Sequence, residues 1–193
     1  YSDVAESFPK LYEAVHFDEK TKTLYQPWGT NLLPTEFKKP VFNKNRFVFW
    51  IGSIWNDKNN QGNVNEINNL KKILKNIGLK FVHIRFIPEF LNIFFVRLSK
   101  IAPAISGKHQ VDVNYLPCRV FKNISYGQLG LTNVSKFKDI LKEDFVEEGS
   151  IEGLIRYAVS LTEEEYKNQV KKQQEKIKTY TYVQHLNNVF KLL

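Results

Sequence analysis

Two basic side chains, Arg119 and Lys122, lie one helical turn apart near the predicted start of a helix in residues 115–123. Pro117 suits the first turn of that helix. A helix N-terminus offers free N–H groups and partial positive charge, and arginine adds a bidentate phosphate donor. The cluster, with Asn123 beside it, therefore predicts a diphosphate site. The competing interpretation is that both charges lie on the solvated face of an amphipathic helix.

Other polar candidates follow predicted strands, where parallel α/β sheets bind their ligands. Gly52 and Ser53 follow the first strand, and a glycine there allows close approach of a ligand to the backbone. An ordinary strand-to-loop glycine is an equally good interpretation. The further candidates are Ser106, Lys108, His109, Asp112, Tyr115, Thr132 and Asn133. Neither a G-x-G-x-x-G pattern nor a P-loop pattern is present, so a nicotinamide or P-loop site has no support.

Cysteine and histidine usage gives little support for metal or covalent chemistry. The single cysteine, Cys118, excludes an internal disulfide and paired-cysteine zinc motifs. Its position at a helix start could make it nucleophilic, but an inert buried thiol is the favoured interpretation. The histidines have no metal-ligand spacing, so no metal site is predicted, and His109 is the best candidate for a ligand contact. No catalytic triad or glycosidase carboxylate pair is recognisable.

Alternating strands and helices are expected to position these candidates. The apolar run at residues 47–51 predicts a strand buried on both faces, and residues 79–86 predict another. Between them, apolar residues at spacings of three and four predict a helix that ends at Gly78. Shorter strands are predicted at residues 24–29, 101–106 and 129–131. Further helices are predicted at residues 89–100, 117–127, 135–141, 151–160, 163–178 and 182–193, with a loop at 107–114. This order predicts an α/β, Rossmann-like, doubly wound parallel sheet with C-terminal helices.

Composition limits the function classes. The net charge of +8 would attract nucleotide phosphates, nucleic acid or an anionic membrane, although a solvated lysine surface is the favoured interpretation. No stretch reaches the ~18 apolar residues of a membrane span, and no signal peptide is present. The single cysteine fits a reducing setting, so we expect a cytoplasmic protein. Methionine is absent, even at position 1, which suggests an incomplete sequence.

Residues 118–133 (CRVFKNISYGQLGLTN) resemble the R-x-F-E-x-x-x-x-G-x-x-x-x-T signature of group-1-type glycosyltransferases. The most similar variety is the C-terminal domain of spore-maturation-like bacterial glycosyltransferases. Residues 145–161 and 180–182 resemble the ending of that family, residues 25–31 its linker strand, and residues 47–53 the first strand of its C-terminal domain. The resemblance thus covers residues 24–193. It implies the C-terminal half of a GT-B architecture, in which two Rossmann-like domains enclose a cleft.

The resemblance also assigns regions and residues. Residues 1–40 would be a remnant of the N-terminal domain with the linker, 41–178 the nucleotide-sugar-binding domain, and 179–193 a helix that packs back toward the N-terminal domain. Arg119 would contact phosphate, Gly52 and Ser53 would lie near the phosphates, and Thr132 and Asn133 would line the donor pocket. Lys122 stands where the family has a glutamate that binds ribose hydroxyls, which suggests a second phosphate contact instead.

The function that the resemblance implies is glycosyl transfer in polysaccharide biosynthesis. A nucleotide-diphosphate sugar would be the donor, and a glycan or other acceptor would receive the sugar. No cofactor or metal is expected, because the helix dipole and basic side chains would stabilise the leaving diphosphate. The catalytic base would lie in the missing N-terminal domain, and a peripheral surface on the inner face of the membrane is a further expected partner. The alternatives are a non-catalytic Rossmann-like module that binds a nucleotide or partner, and a nucleic-acid-binding domain, for which no motif is present.

Overall fold

The computed structural model describes residues 15–59 and 61–192. Residues 1–14 of the predicted N-terminal remnant and Leu193 of the predicted last helix lie outside the described residues. The strands are β1 (His16–Asp18), β2 (Thr23–Tyr25), β3 (Phe47–Ile51), β4 (Lys80–Ile84), β5 (Pro103–Ala104) and β6 (Leu131–Thr132). The helices are α1 (Val64–Asn76), α2 (Glu89–Leu98), α3 (Lys108–Asp112), α4 (Cys118–Ser125), α5 (Lys138–Leu141), α6 (Ile151–Ser160), α7 (Glu163–Lys176) and α8 (Tyr182–Phe190). Short 3-10 turns span Pro34–Glu36, Ser135–Phe137 and Lys142–Asp144.

The strands pair as three two-stranded sheets. β1 and β2 are antiparallel, β3 and β4 are parallel with Phe47 opposite Lys80, and β5 and β6 are parallel. The predicted mixed α/β class is therefore confirmed, but the described strands do not form one doubly wound sheet. The hydroxyl of Ser99, which lies between α2 and β5, bonds to the backbone of β3, because Ser99 Oγ accepts from Phe49 N at 2.9 Å. The same hydroxyl donates to Ile101 O at 2.6 Å.

The unit from β3 through α1 to β4 has the form that the sequence predicts. On α1 the apolar spacing buries one face, comprising Ile67, Leu70, Ile73 and Leu74. This face joins β3, α6 and α7 in the largest core cluster. Gly78 follows α1 with a φ of +78°, which is the left-handed conformation expected of a residue that ends a helix.

A second core cluster fixes the direction of α4. Val120, Phe121 and Ile124 are buried on its inner face and pack with Phe137. The helix begins after Pro117 and ends before Gly127, whose φ is +88°. With its inner face fixed in this way, the first turn of α4 lies beside the end of β3.

Buried amide side chains stabilise the irregular backbone around residues 124–131. Gln128 donates to Val96 O at 3.0 Å and to Ser99 O at 2.8 Å, which holds the end of α2. From α7, Gln173 accepts from Gly130 N at 2.7 Å, and Gln174 donates to Ile124 O at 2.9 Å. Backbone groups at the ends of α2 and α4, and the backbone of Gly130, are thus satisfied by side chains, as buried polar groups require.

The segment predicted as a linker packs against the ends of two helices. Thr30 N donates to Tyr180 O at 2.9 Å, and Tyr182 N donates to Thr30 O at 3.0 Å. Further along, Lys38 N donates to Ser125 O at 2.8 Å. Residues 30–38 therefore contact both the start of α8 and the end of α4.

Several predicted boundaries differ from the structure. Residues 108–112 are helical as α3, not a loop, and the third strand shrinks from residues 101–106 to β5. β1 was not predicted. The sequence also predicts Ser150 as the cap of α6 and a capping box at residues 162–165, and both are confirmed. The hydroxyl of Ser150 accepts from Gly153 N at 3.0 Å, and Thr162 and Glu165 form the capping box of α7. Within the described residues, no helix is both long and apolar enough to cross a membrane.

Candidate anion-binding cleft

A cleft of about 210 Å³ lies where β3 ends and α4 begins. It contains four of the residues that the sequence predicts for a phosphate site: Gly52, Arg119, Lys122 and Asn123. The rest of its lining is Phe49, Ile51, Asn92, Val96, Ala102, Pro103, Cys118 and Tyr126. The cleft is thus built from β3, α2, β5 and the full length of α4.

Arg119 supplies the charge that is central to this cleft. Its guanidinium lies over the ring of Trp50, with 4.0 Å between Cζ and the ring centroid. Burial lowers the pKa of Arg119 to about 10, so the side chain remains protonated at neutral pH. Within the described residues it has no ion pair with a carboxylate, and its main contact is this cation–π contact, which holds the charge without neutralising it.

Gly52 leaves the space that the Arg119 side chain occupies. A Cβ at this position would lie 2.7 Å from Arg119 Nη2, and the φ of +122° is one that other residues rarely adopt. The peptide is fixed on both sides, because Gly52 N donates to Ile84 O at 3.1 Å and His83 Nε2 lies 2.7 Å from Gly52 O. The glycine therefore has both a conformational and a steric reason to be there.

Lys122 is paired in this structure. Its Nζ lies 3.2 Å from Oε1 of Glu89, which also accepts a short hydrogen bond from the Tyr126 hydroxyl. Partial burial alone would raise the pKa of Glu89, but the hydrogen bond from Tyr126 and the charge of Lys122 outweigh it and lower that pKa. Burial and the contact with Glu89 raise the pKa of Tyr126. An ionised carboxylate at the cleft thus offsets part of the charge of Lys122.

Two further polar lining residues have different environments. Asn123 is 4% exposed and donates to Ala102 O at 2.7 Å, so its amide connects α4 to the segment before β5. Cys118 is partly buried, not fully buried as the sequence suggested. Burial and the nearby Cys118 thiol raise the pKa of the Tyr182 hydroxyl. The start of α8 therefore approaches the start of α4 at this point.

The other predicted site residues are not part of the cleft lining. Ser53 is exposed, Thr132 is buried, and the amide of Asn133 exchanges two 2.8 Å hydrogen bonds with the backbone of Ser106. Lys108 pairs with Asp112 at 2.7 Å on α3. The predicted site residues that do not line the cleft are Ser53, Ser106, Lys108, His109, Asp112, Tyr115, Thr132 and Asn133.

Three contributors were missed by sequence reasoning: Glu89, Asn92 and Tyr126. Glu89 and Asn92 lie in the first turn of α2, shortly after the carboxyl end of β4. The same rule that selected Gly52 would have selected this position, because ligands bind at the carboxyl ends of parallel strands. Tyr126 lies four residues after Lys122 at the end of α4, so the helical spacing was also a usable signal.

The chemistry available in this cleft is anion binding. Arg119 is charged and has no carboxylate partner among the described residues, and a ligand oxygen would compete with Glu89 for Lys122. In the described part of the chain, no group of three potential metal ligands comes together. The indole Nε1 of Trp50, beneath Arg119, is buried and has no hydrogen-bond partner among the described residues. The arrangement suits a phosphate group that accepts several hydrogen bonds.

Comparison with known proteins returned no matching family model, no similar curated protein and no similar solved structure. The class that the structure supports is accordingly a mixed α/β protein with short parallel sheets.

Proposed function

We propose that the cleft binds the diphosphate of a nucleotide sugar, and that this chain is the donor-binding part of a glycosyltransferase. The observation that carries the proposal is the charged Arg119 guanidinium at the N-terminus of α4, without a carboxylate partner among the described residues. A helix start and an arginine fork together favour a bound phosphate. The resemblance of residues 118–133 to a glycosyltransferase signature supports the choice of ligand.

The size of the cleft limits which part of the donor it holds. At about 210 Å³ it is smaller than the roughly 300–1,000 Å³ of pockets that enclose whole small-molecule ligands. We therefore assign it to the diphosphate, with the nucleoside and the sugar extending beyond it. Residues from another domain would complete the donor site, and the acceptor would be a glycan or another hydroxyl-bearing molecule.

The proposal treats the two parallel strand pairs as parts of one Rossmann-like sheet with the order β4, β3, β5, β6. A 2.7 Å hydrogen bond from Lys100 N to Phe47 O, at the beginning of β3, supports this order. In such a sheet Gly52 and the start of α4 would lie at the carboxyl edge, where parallel α/β sheets bind ligands.

Thermal unfolding with UDP and GDP tests the proposal. At a nucleotide concentration of ten times Kd, binding should stabilise the protein by about 1.4 kcal/mol, which corresponds to a rise in Tm of roughly 3–6 °C. Arg119→Gln should abolish the rise. Arg156→Gln removes an exposed arginine that pairs with Glu152 at 2.7 Å, so it should retain the rise. If neither nucleotide shifts the wild-type Tm, the proposal is wrong.

A non-catalytic module that binds a free nucleotide is the second candidate function. The cleft fits this function, because binding a nucleotide needs no base and the Glu89 carboxylate beside the cleft is already paired with Lys122. Competition between a nucleotide and its sugar-bearing form separates the two candidates. A donor site should bind UDP-sugar or GDP-sugar in competition with UDP or GDP, whereas a module for free nucleotides should exclude the sugar-bearing forms.

A further inference from the structure

An exposed aromatic surface lies on the outer side of α2, away from the cleft. Phe90, Phe94 and Leu98 are spaced by four residues and so share one face of the helix. Their exposed fractions are 68%, 55% and 39%. Before the helix, Phe86 is 96% exposed. Large apolar side chains are seldom solvent-exposed next to one another, and contiguous exposed apolar patches mark interaction sites.

Ring contacts make this surface continuous with β3. Phe94 contacts Phe95 at 5.3 Å between ring centroids, Phe95 contacts Phe49 at 5.2 Å, and Phe49 contacts Phe47 at 6.0 Å. Phe47 is itself 41% exposed. We call the exposed side chains Phe47, Phe90, Phe94 and Leu98 the aromatic surface. The rings of Phe49 and Phe95 pack against each other beneath this surface and support the exposed rings of Phe47 and Phe94.

Basic side chains border one end of the aromatic surface. Asn45 donates to Leu98 O at 2.7 Å, which places its exposed neighbours Lys44 and Arg46 beside the end of α2. Lys80 is also exposed, and its Nζ lies 5.9 Å from the ring centroid of Phe47. The acidic residue of α2, Glu89, is paired with Lys122 at the cleft. The border of the aromatic surface is thus positively charged.

We propose that the aromatic surface docks on an anionic lipid membrane. Phenylalanine and leucine beside lysine and arginine are the side chains of peripheral membrane surfaces, where apolar groups enter the headgroup boundary and cations attract anionic lipid. Charge complementarity between the basic border and anionic lipid headgroups favours this occupant. The inference is independent of the proposed nucleotide site.

Vesicle co-sedimentation tests this proposal with the full chain. We expect binding to vesicles of phosphatidylcholine containing about one third phosphatidylserine, and much weaker binding to phosphatidylcholine alone. Raising the salt concentration from about 0.1 M to about 0.5 M should reduce the binding. Phe90→Ser with Phe94→Ser should weaken it at least about tenfold. Arg46→Gln and Lys80→Gln should each weaken it about fivefold.

The matched control is Leu186→Ser with Phe190→Ser on α8. These side chains are also exposed, at 47% and 71%, but lie on a different helix, so the control should bind vesicles as the wild type does. All variants change exposed side chains, and unchanged thermal unfolding would verify that they fold. Absence of vesicle binding, equal losses in the α8 control, or a dimer that Phe90→Ser with Phe94→Ser disrupts would each overturn the proposal.

Discussion

Replacing Glu89 by glutamine should strengthen anion binding in the cleft. The carboxylate of Glu89 is 3.2 Å from Lys122 Nζ and competes with any incoming phosphate for that charge. Glutamine has nearly the same shape and can still accept the hydroxyl of Tyr126, so the change removes charge with little loss of packing. Pyrophosphate is the suitable ligand for the measurement, because it lacks the ribose and sugar hydroxyl groups that Glu89 could bind.

The expected gain in pyrophosphate affinity can be estimated from the solvent exposure of the Lys122–Glu89 pair. Two unit charges 4 Å apart interact by about 1 kcal/mol in water and about 4 kcal/mol at an effective dielectric constant of 20. The side chains of Lys122 and Glu89 are 22% and 44% exposed, which places the pair toward the solvent-screened limit. Exposed pairs contribute about 0–1 kcal/mol. We therefore expect Glu89→Gln to gain roughly 0.5–1 kcal/mol, or about two- to fivefold in Kd.

Isothermal titration calorimetry at low ionic strength measures the effect, and a double-mutant cycle assigns it. Lys122→Gln should weaken pyrophosphate binding, and Glu89→Gln should give a smaller gain in that variant than in the wild type, because only the direct repulsion between the carboxylate and the ligand is then removed. If Glu89→Gln leaves the affinity unchanged or lowers it, the carboxylate is not competing with the ligand. The role of Lys122 as a second phosphate contact would then be wrong.

Two further predictions concern a glycine and a buried histidine. Gly52→Ala should weaken pyrophosphate binding about tenfold by displacing the guanidinium, whereas Gly78→Ala, which shares the positive φ but has open space, should cost about 1 kcal/mol of stability without affecting binding. His185 is 4% exposed, and burial lowers its pKa, so the unfolded chain binds more protons than the folded protein below the unfolded pKa of about 6.5. The free energy of unfolding should therefore be highest above about pH 6.5 and fall as the pH drops through the folded pKa. Denaturant titrations should show a weaker decline for His185→Gln than for the wild type; identical profiles for the two proteins would contradict this assignment.

Local sequence signals predicted the elements that depend on local interactions. The apolar run at residues 47–51 coincides with β3, and the spacing of Ile67, Leu70 and Ile73 predicted the buried face of α1. The cap residues Ser150 and Thr162 were also recognisable, because each cap bonds a backbone N–H only a few residues away. Such features need no knowledge of distant contacts.

The sheet was harder to predict because its pairing depends on distant residues. The sequence predicted strands at residues 101–106 and 129–131, but only β5 and β6, of two residues each, form there. A serine hydroxyl supplies the hydrogen bond to Phe49 that a strand would otherwise supply. Gly130 N likewise donates to the side chain of Gln173, and Leu129 N donates to the hydroxyl of Tyr166, both on α7. Nothing in the local sequence signals these partners.

In the candidate site, too, the residues set by local sequence could be predicted and the contacts between distant residues could not. Arg119 and Lys122 could be predicted because they share one turn of a helix, and Gly52 because it ends a strong strand. That Glu89 pairs with Lys122 could not be predicted, since the two are separated by 33 residues along the chain and meet only through the packing of α2. Ser106 and Asn133, also predicted as site residues, do not line the cleft. The Asn133 amide bonds the backbone of Ser106, which uses its polar atoms within the fold.

Helix α2 contributes to both proposed functions with different faces. Its first turn brings Glu89 and Asn92 to the cleft, while Phe90 and Phe94 lie outward. The position of the helix is fixed at its other end, where Gln128 donates to Val96 O at 3.0 Å. A helix held in this way cannot turn its phenylalanines inward without breaking the contacts of Glu89 with Lys122 and Tyr126. The exposure of the aromatic surface is therefore a consequence of the geometry that places Glu89 beside the cleft, and loose packing of α2 does not account for it.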